Sequence, residues 1–318
     1  GFSGSVIVND INPTILAEIT SVPAMQGRAT VAGGITVSGD VNVISTSGYI
    51  SALDAIIANA AMSSNGGLVA ANDSGVDFAA GDLSPSSATG AAIIAVAGNV
   101  QIGKANVGVS ILVNRIGTTH LALIDRASVT STGGVVNVSA LDSAEIIGVA
   151  IGIGGATGSV AGNGSVVYNA INNAVVAQIG HGDDSTDTVG AATATVDAAA
   201  VQVTALDTAK IRGAAGAISI NIGGGNAVGV SAVIDQIETF VSASIAGATV
   251  TADNALGNGS ALIGNNLPTG SVRVYGSSNA DIISVAVGAA VSRGNAPASA
   301  QQNLSRIVGL LRPTAPTS

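Results

Sequence analysis

The residues best suited to chemistry fall into three groups. His181, Asp183, Asp184 and Asp187 crowd one Gly-bounded segment, GHGDDSTDTVG at 180–190. Carboxylates closely spaced in a turn can offer oxygens to Ca²⁺, so Asp183, Asp184 and Asp187 are candidate calcium ligands. Their spacing is not that of an EF-hand, and no calcium-binding nonapeptide repeat accompanies them, so a solvated surface turn is the competing reading. Asp54, Asp142 and Asp207 recur inside an ALD motif. They could line up as an anionic or metal-binding stripe, but their recurring position favours a strand end where each carboxylate accepts backbone hydrogen bonds in an Asx-type turn. Asn9, Asn114, Asn169 and Asp235 recur in a second motif. There an inward amide at a corner would satisfy backbone groups that a turn leaves open, with glycan binding as the alternative.

Catalysis finds little to work with. Polysaccharide lyases need clustered carboxylates beside a Lys or Arg base, whereas this chain has Lys104 and Lys210 as its only lysines and ten scattered basic residues in all. Platforms for sugar stacking are scarce: Tyr49, Tyr168, Tyr275, Phe2, Phe78 and Phe240 are all the aromatics. Two His, no Cys and no GxSxG motif leave no nucleophilic constellation. The expectation is a protein that is not an enzyme and carries no cofactor, Ca²⁺ apart. Two TxT pairs, Thr193 with Thr195 and Thr249 with Thr251, are too few for an ice-binding array.

The elements that must position these residues are repeats. VNVSALDSAEI at 136–146 returns as VQVTALDTAKI at 201–211, with SALDAI at 51–56 and a degenerate VRVYGSSNADI at 272–282. Val136, Val138 and Ala140 alternate with polar residues, as a strand with one buried face requires. A second unit reads GSVIVNDINPTILAEI at 4–19, GVSILVNRIGTTHLALI at 108–124, GSVVYNAINNAVVAQI at 164–179 and GVSAVIDQIETFVSASI at 229–245. Gly-rich apolar links, GVAIGIGGATGSVAGN at 148–163 and GAAGAISINIGGGNAVG at 213–229, join the two. The composite period is therefore about 55 to 70 residues. At roughly 20 residues per coil this predicts a β-solenoid of about fifteen coils, a rod on the order of 70 Å long. One solenoid spans 1–300, with insertions near 72–87 and 180–190, and 301–318 forms an irregular tail or cap.

Composition agrees with stacked layers. Charged residues make up 9% and aromatics 2%, while the mean hydropathy is +0.57. That hydropathy excludes disorder, and a core without aromatics suits thin rows of Val, Ile and Ala. Net charge is −9, spread thinly, so nothing here neutralises a phosphate backbone and nucleic acid is not an expected partner. Residues 146–180 carry no charge and are long enough for a membrane helix. Their Gly and Asn content and period-two alternation point to buried strands instead, and no membrane span is expected. The opening GFSGSVIVND lacks a signal peptide and an initiator Met, as in a processed chain or a fragment of a longer one. With no Cys for disulfides, the compartment reading favours a bacterial or archaeal surface.

The succession VxVxALDxAxI, Gly-rich link, GxSxxVNxI resembles the repeat region of giant bacterial filamentous adhesins. These are the leukotoxin-type and filamentous haemagglutinin-like proteins exported by two-partner or autotransporter secretion. The resemblance covers about residues 4–295, and the fourth copy departs from it, with GSS at 276–278 in place of ALD. It implies a parallel β-helix at the cell surface with no catalytic residues. The expected function is a non-catalytic structural or adhesive rod of an extracellular fibre. Its partners would be neighbouring repeats, or a cell-surface or matrix polysaccharide. A subunit that polymerises end to end into a filament is the alternative, and a polysaccharide- or ice-binding β-helix a lesser one.

Overall fold

A computed structural model describes residues 1–20, 34–46, 91–181, 193–253 and 270–293. The described residues are strand throughout, with turns and bends and no helix. Val, Ile and Thr are stiff at χ1 and pack well on a pleated surface, and the chain alternates them with Ala, Ser, Asn and Gly. The Ala-rich stretch at 193–205 follows its Thr and Val alternation and is strand too.

Three sheets form, and every pairing is parallel. The first contains β1 (Phe2–Ile11), β2 (Thr14–Thr20), β6 (Asn106–Ile116), β7 (Thr119–Asp125), β10 (Val160–Ile179) and β13 (Asn226–Ile245). The second holds four short strands: β3 (Gly34–Val37), β8 (Ser128–Ser131), β11 (Ala194–Ala198) and β14 (Ala248–Ala252). The third contains β4 (Val41–Thr46), β5 (Ala92–Gly103), β9 (Val135–Ala156), β12 (Ala200–Asn221) and β15 (Ser271–Ser292). The chain visits the sheets in that order and then returns to the first, one strand further along.

The described strands thus lie in four layers, each paired in register with the next. Asn114 pairs Asn169, which pairs Asp235. Val136 pairs Val201, which pairs Val272. The alignment of the repeats is the register of the sheets. Side chains linked across layers stand 55, 66 or 71 residues apart, and 105 between the first and second layers. These intervals correct the expectation of fifteen coils of about 20 residues: the described layers number four. Most of the Gly-rich links joining the two repeated units run on as strand. β9 and β12 each continue for 22 residues, a contour of roughly 70 Å. Along the stacking direction the four layers span only about 20 Å.

Sheets one and three face each other, with the short second sheet closing one end. Near that end Val129, Val138, Val175, Val196 and Val203 form one apolar cluster. A second, further along, gathers Ile93, Leu112, Ile146, Val167 and Ile211. Each such side chain, fully buried, contributes on the order of 2 kcal/mol. The inward column Val41, Val136, Val201 and Val272 shows how burial depends on layering. Val136 and Val201 are 0% exposed, whereas Val272, in the fourth layer, is 46% exposed. The segment 72–87, most of 180–190 and the tail 301–318 lie outside the described residues.

Candidate functional site

The repeated Asn and Asp stand on β1, β6, β10 and β13, within strands and not at corners. The expectation of turn positions is corrected here: alternation carries the side chains inward from an unbroken strand. They form one file. Asn9 Nδ2 donates to Asn114 Oδ1, Asn114 Nδ2 to Asn169 Oδ1, and Asn169 Nδ2 to Asp235 Oδ1, each at 2.8 Å. Every donor points toward the following layer. Ser284 Oγ closes the file on Asp235 Oδ2 at 2.5 Å. Opposite it, sheet three supplies glycine. A Cβ on Gly148 would lie 2.6 Å from Asn169 Oδ1, and a Cβ on Gly213 would collide with Asp235 Oδ2.

Asp142 and Asp207 likewise lie inside strands, β9 and β12, and are buried. The Asx-turn reading of these residues is corrected in the same way. Between the two apolar clusters they meet groups from sheet one. Asn173 Nδ2 donates to Asp142 Oδ2 at 2.5 Å and reaches Asp207 Oδ1 at 3.2 Å. Asn173 Oδ1 accepts from the Thr118 amide at 3.2 Å. Ser278 Oγ donates to Asp207 Oδ2 at 3.2 Å. Burial pushes the Asp207 carboxyl up to about 6, and the nearby Asp142 carboxylate adds to this while Asn173 and Ser278 oppose it. Asp54 lies outside the described residues.

His120 joins this group, and the motif analysis missed it. Its Nε2 stands 3.1 Å from Asp142 Oδ1, and Ser45 Oγ lies 3.4 Å from its Nδ1. A signal was available: the aligned copies place Ile15, Val175 and Val241 in this column, so an inward His breaks an aliphatic file. Hydroxyl, imidazole and carboxylate occur in the order of a nucleophile relay. Here, however, Ser45 and His120 are 0% exposed and Asp142 is 5% exposed. Ser45 Oγ also donates to the Ile15 carbonyl at 2.8 Å, which commits it to the backbone. The arrangement holds polar groups inside the stack and offers no approach to a substrate.

His181 Nδ1 lies 3.3 Å from Asp125 Oδ1, beside the Arg126 corner at φ 51°. The proposed calcium ligands Asp183, Asp184 and Asp187 lie outside the described residues. Among the described residues no group of three or more His, Asp or Glu could hold a metal.

The outer face of sheet one carries a concavity of about 540 Å³ across the layers. Its floor is low where Gly117, Ala170 and Ala174 stand, and its rim carries Asp10, Asn12, Gln236 and Glu238. The Arg115 guanidinium sits 5.6 Å from the Tyr168 ring centroid, a cation–π distance. One ring face, amides, an Arg and two carboxylates on a solvent-open floor suit a polyhydroxylated ligand better than an apolar one. Compared with protein-family models, curated proteins and solved structures, the chain matches none.

Proposed function

We propose that this chain is a β-solenoid section of a non-catalytic rod, structural or adhesive, in an extracellular fibre at a bacterial surface. The observation that supports it is the open column at the fourth layer. Val272 and Val274 continue buried files of valines yet are 46% and 45% exposed, and no described strand pairs with the outer edge of β13 or β15. A stack of this kind gains stability from each added layer, and its ends associate unless they are covered. The resemblance of the repeats to filamentous adhesins, the absence of Cys and the low charge favour the same reading. The groove around Tyr168 gives the adhesive version a place for a surface or matrix polysaccharide.

The second reading is a subunit that polymerises end to end, and the same open column favours it. Negative-stain electron microscopy of the purified chain across a dilution series tests both. A rod section gives particles about 20 Å thick in the stacking direction, which persist on dilution. A filament subunit gives stacks of constant width that lengthen with concentration. Rounded particles without a long dimension would overturn the solenoid itself. Surface location is checked by immunolabelling intact source cells with antibodies to the chain, where unlabelled surfaces would remove the fibre assignment.

A further inference from the structure

Beyond the apolar clusters, toward the end of the stack remote from sheet two, the usual polarity reverses. Inward positions there are polar or small: Asn99, Asn106, Ser110, Asn163, Ser165 and Ser219 are buried. All but Ser165 hydrogen-bond to the interior backbone or to another side chain. Ser110 Oγ donates to the Ile151 carbonyl at 3.1 Å, Asn163 Nδ2 to Ser219 Oγ at 3.3 Å, and Ser219 Oγ to the Val228 carbonyl at 2.6 Å. Outward positions on the same strands are aliphatic on both sheets. On sheet one Val107, Val109, Val228 and Val230 are 38 to 61% exposed, and Phe2 is 88% exposed. On sheet three Val100, Ile102, Ile153 and Ile220 are 39 to 82% exposed.

The reversed zone has a defined depth. Residues 2–8, 107–113, 160–167 and 228–234 on one sheet include no charged residue, nor do 94–102, 147–155, 214–222 and 283–291 on the other. Seven to nine residues of strand reach about 25–30 Å, close to the roughly 30 Å hydrocarbon core of a bilayer. Charges resume just below, at Asp10 and Arg115 on sheet one and at Lys210 and Arg212 on sheet three. Lys104, Thr157 and Ser159 occupy the turns at the tip. A protein partner would cover one face. Here both faces are apolar around a polar interior, the alternation that a lipid-facing strand shows.

We infer that this end of the stack is a keel that enters the hydrocarbon of a phospholipid bilayer, while the charged collar and the rest of each layer stay in water. The stretch 146–180, too rich in Gly and Asn for a membrane helix, supplies two of its strands in the third sheet and the first. The inference rests on the stacked reading, because open strand edges are not tolerated in hydrocarbon and must be paired by further layers. Microscopy of the stacks and the lipid experiment below fail independently.

The test is flotation of the purified chain with phosphatidylcholine vesicles over a range of protein concentrations. The chain has no Trp, so Val230→Trp provides a single probe for quenching by brominated acyl chains. The expected result is co-flotation with the neutral vesicles and quenching of that probe. The control Thr208→Trp, at an exposed position below the collar, stays unquenched. The variant Val109→Lys with Ile153→Lys, one charge on each face, lowers the bound fraction at least tenfold, while Thr208→Lys leaves it unchanged. A chain that stays in the lipid-free fraction at every concentration, with the Val230→Trp probe unquenched, overturns the inference. So does a doubly charged variant that keeps the native circular dichroism spectrum and floats as wild type. A lipid-independent dimer dissolved by the two lysines assigns these faces to a second copy and overturns it equally.

Discussion

Asn114 and Asn169, 55 residues apart in the chain, share a 2.8 Å amide–amide hydrogen bond inside the stack, and both are wholly buried. Each has a further partner in the next layer outward, so four residues from four layers make one polar file through an apolar interior. Such a file fixes register. A slip of one residue would put each amide on the outer face and bring an outward neighbour, such as Val113 for Asn114 or Tyr168 for Asn169, into its place.

Asn169→Ala removes an acceptor from Asn114 and a donor from Asp235 together. One wholly buried donor without a partner, and a half-buried carboxylate left with Ser284 alone, cost on the order of 2 kcal/mol. Asn9→Ala, in the first layer, leaves only the Asn114 acceptor unmatched and costs about 1 kcal/mol. Urea denaturation measures both, and equal losses would show that the file adds nothing in the middle of the stack.

Gly148 faces this file and Gly216 faces open space. A methyl at 148 would stand 2.6 Å from Asn169 Oδ1, while nothing lies within 4 Å of one at 216. Gly148→Ala therefore forces the ladder to shift and loses about 2 kcal/mol, as overpacking does. Gly216→Ala is neutral or gains a few tenths of a kcal/mol by stiffening the unfolded chain. Matched losses for the two would mean that backbone flexibility, and not room for the amides, explains the glycines.

This contrast also shows what the sequence could reveal. The columns Asn9, Asn114, Asn169 and Asp235 were legible because each copy repeats the residue type, and the alignment is the observed pairing. The size of a layer was not. Gly148 and Gly213 look like corners when read locally, and their reason lies in amides that the other sheet brings against them. The Asp142–His120 contact was hidden in the same way, since neither motif alone shows which inward positions of the two sheets meet.

Asp207 makes stability depend on pH. Its folded carboxyl titrates near 6, above the unfolded value of 3.8, so between these the folded chain holds the proton more tightly. The stabilisation is complete below the unfolded value and is lost as pH rises through about 6. Between pH 5 and 7 the loss is roughly 1 kcal/mol from this residue. Asp207→Asn removes that part of the pH dependence. Urea midpoints for both chains at pH 5 and 7 check it, and identical slopes with pH would sink the assignment.

Asp235 ends the amide file on a carboxylate, and this bears on end-to-end growth. Donors run from Asn9 toward Asp235, so a second copy stacked in register on the fourth layer would bring the Asn9 amide oxygen against the Asp235 carboxylate. Two acceptors then face each other without a proton between them. Asp235→Asn supplies an N–H donor and continues the file into the next copy. One hydrogen bond gained and one repulsion removed are worth on the order of 1 kcal/mol, or several-fold in the concentration at which copies associate. Glu238→Gln, on the outer face of the same strand, makes the same change in net charge without touching the file. Sedimentation velocity should show heavier species for Asp235→Asn than for wild type or Glu238→Gln at equal concentration. Equal association of all three would mean that copies do not stack in this register, and the carboxylate is then only the last hydrogen-bond acceptor of the chain's own interior.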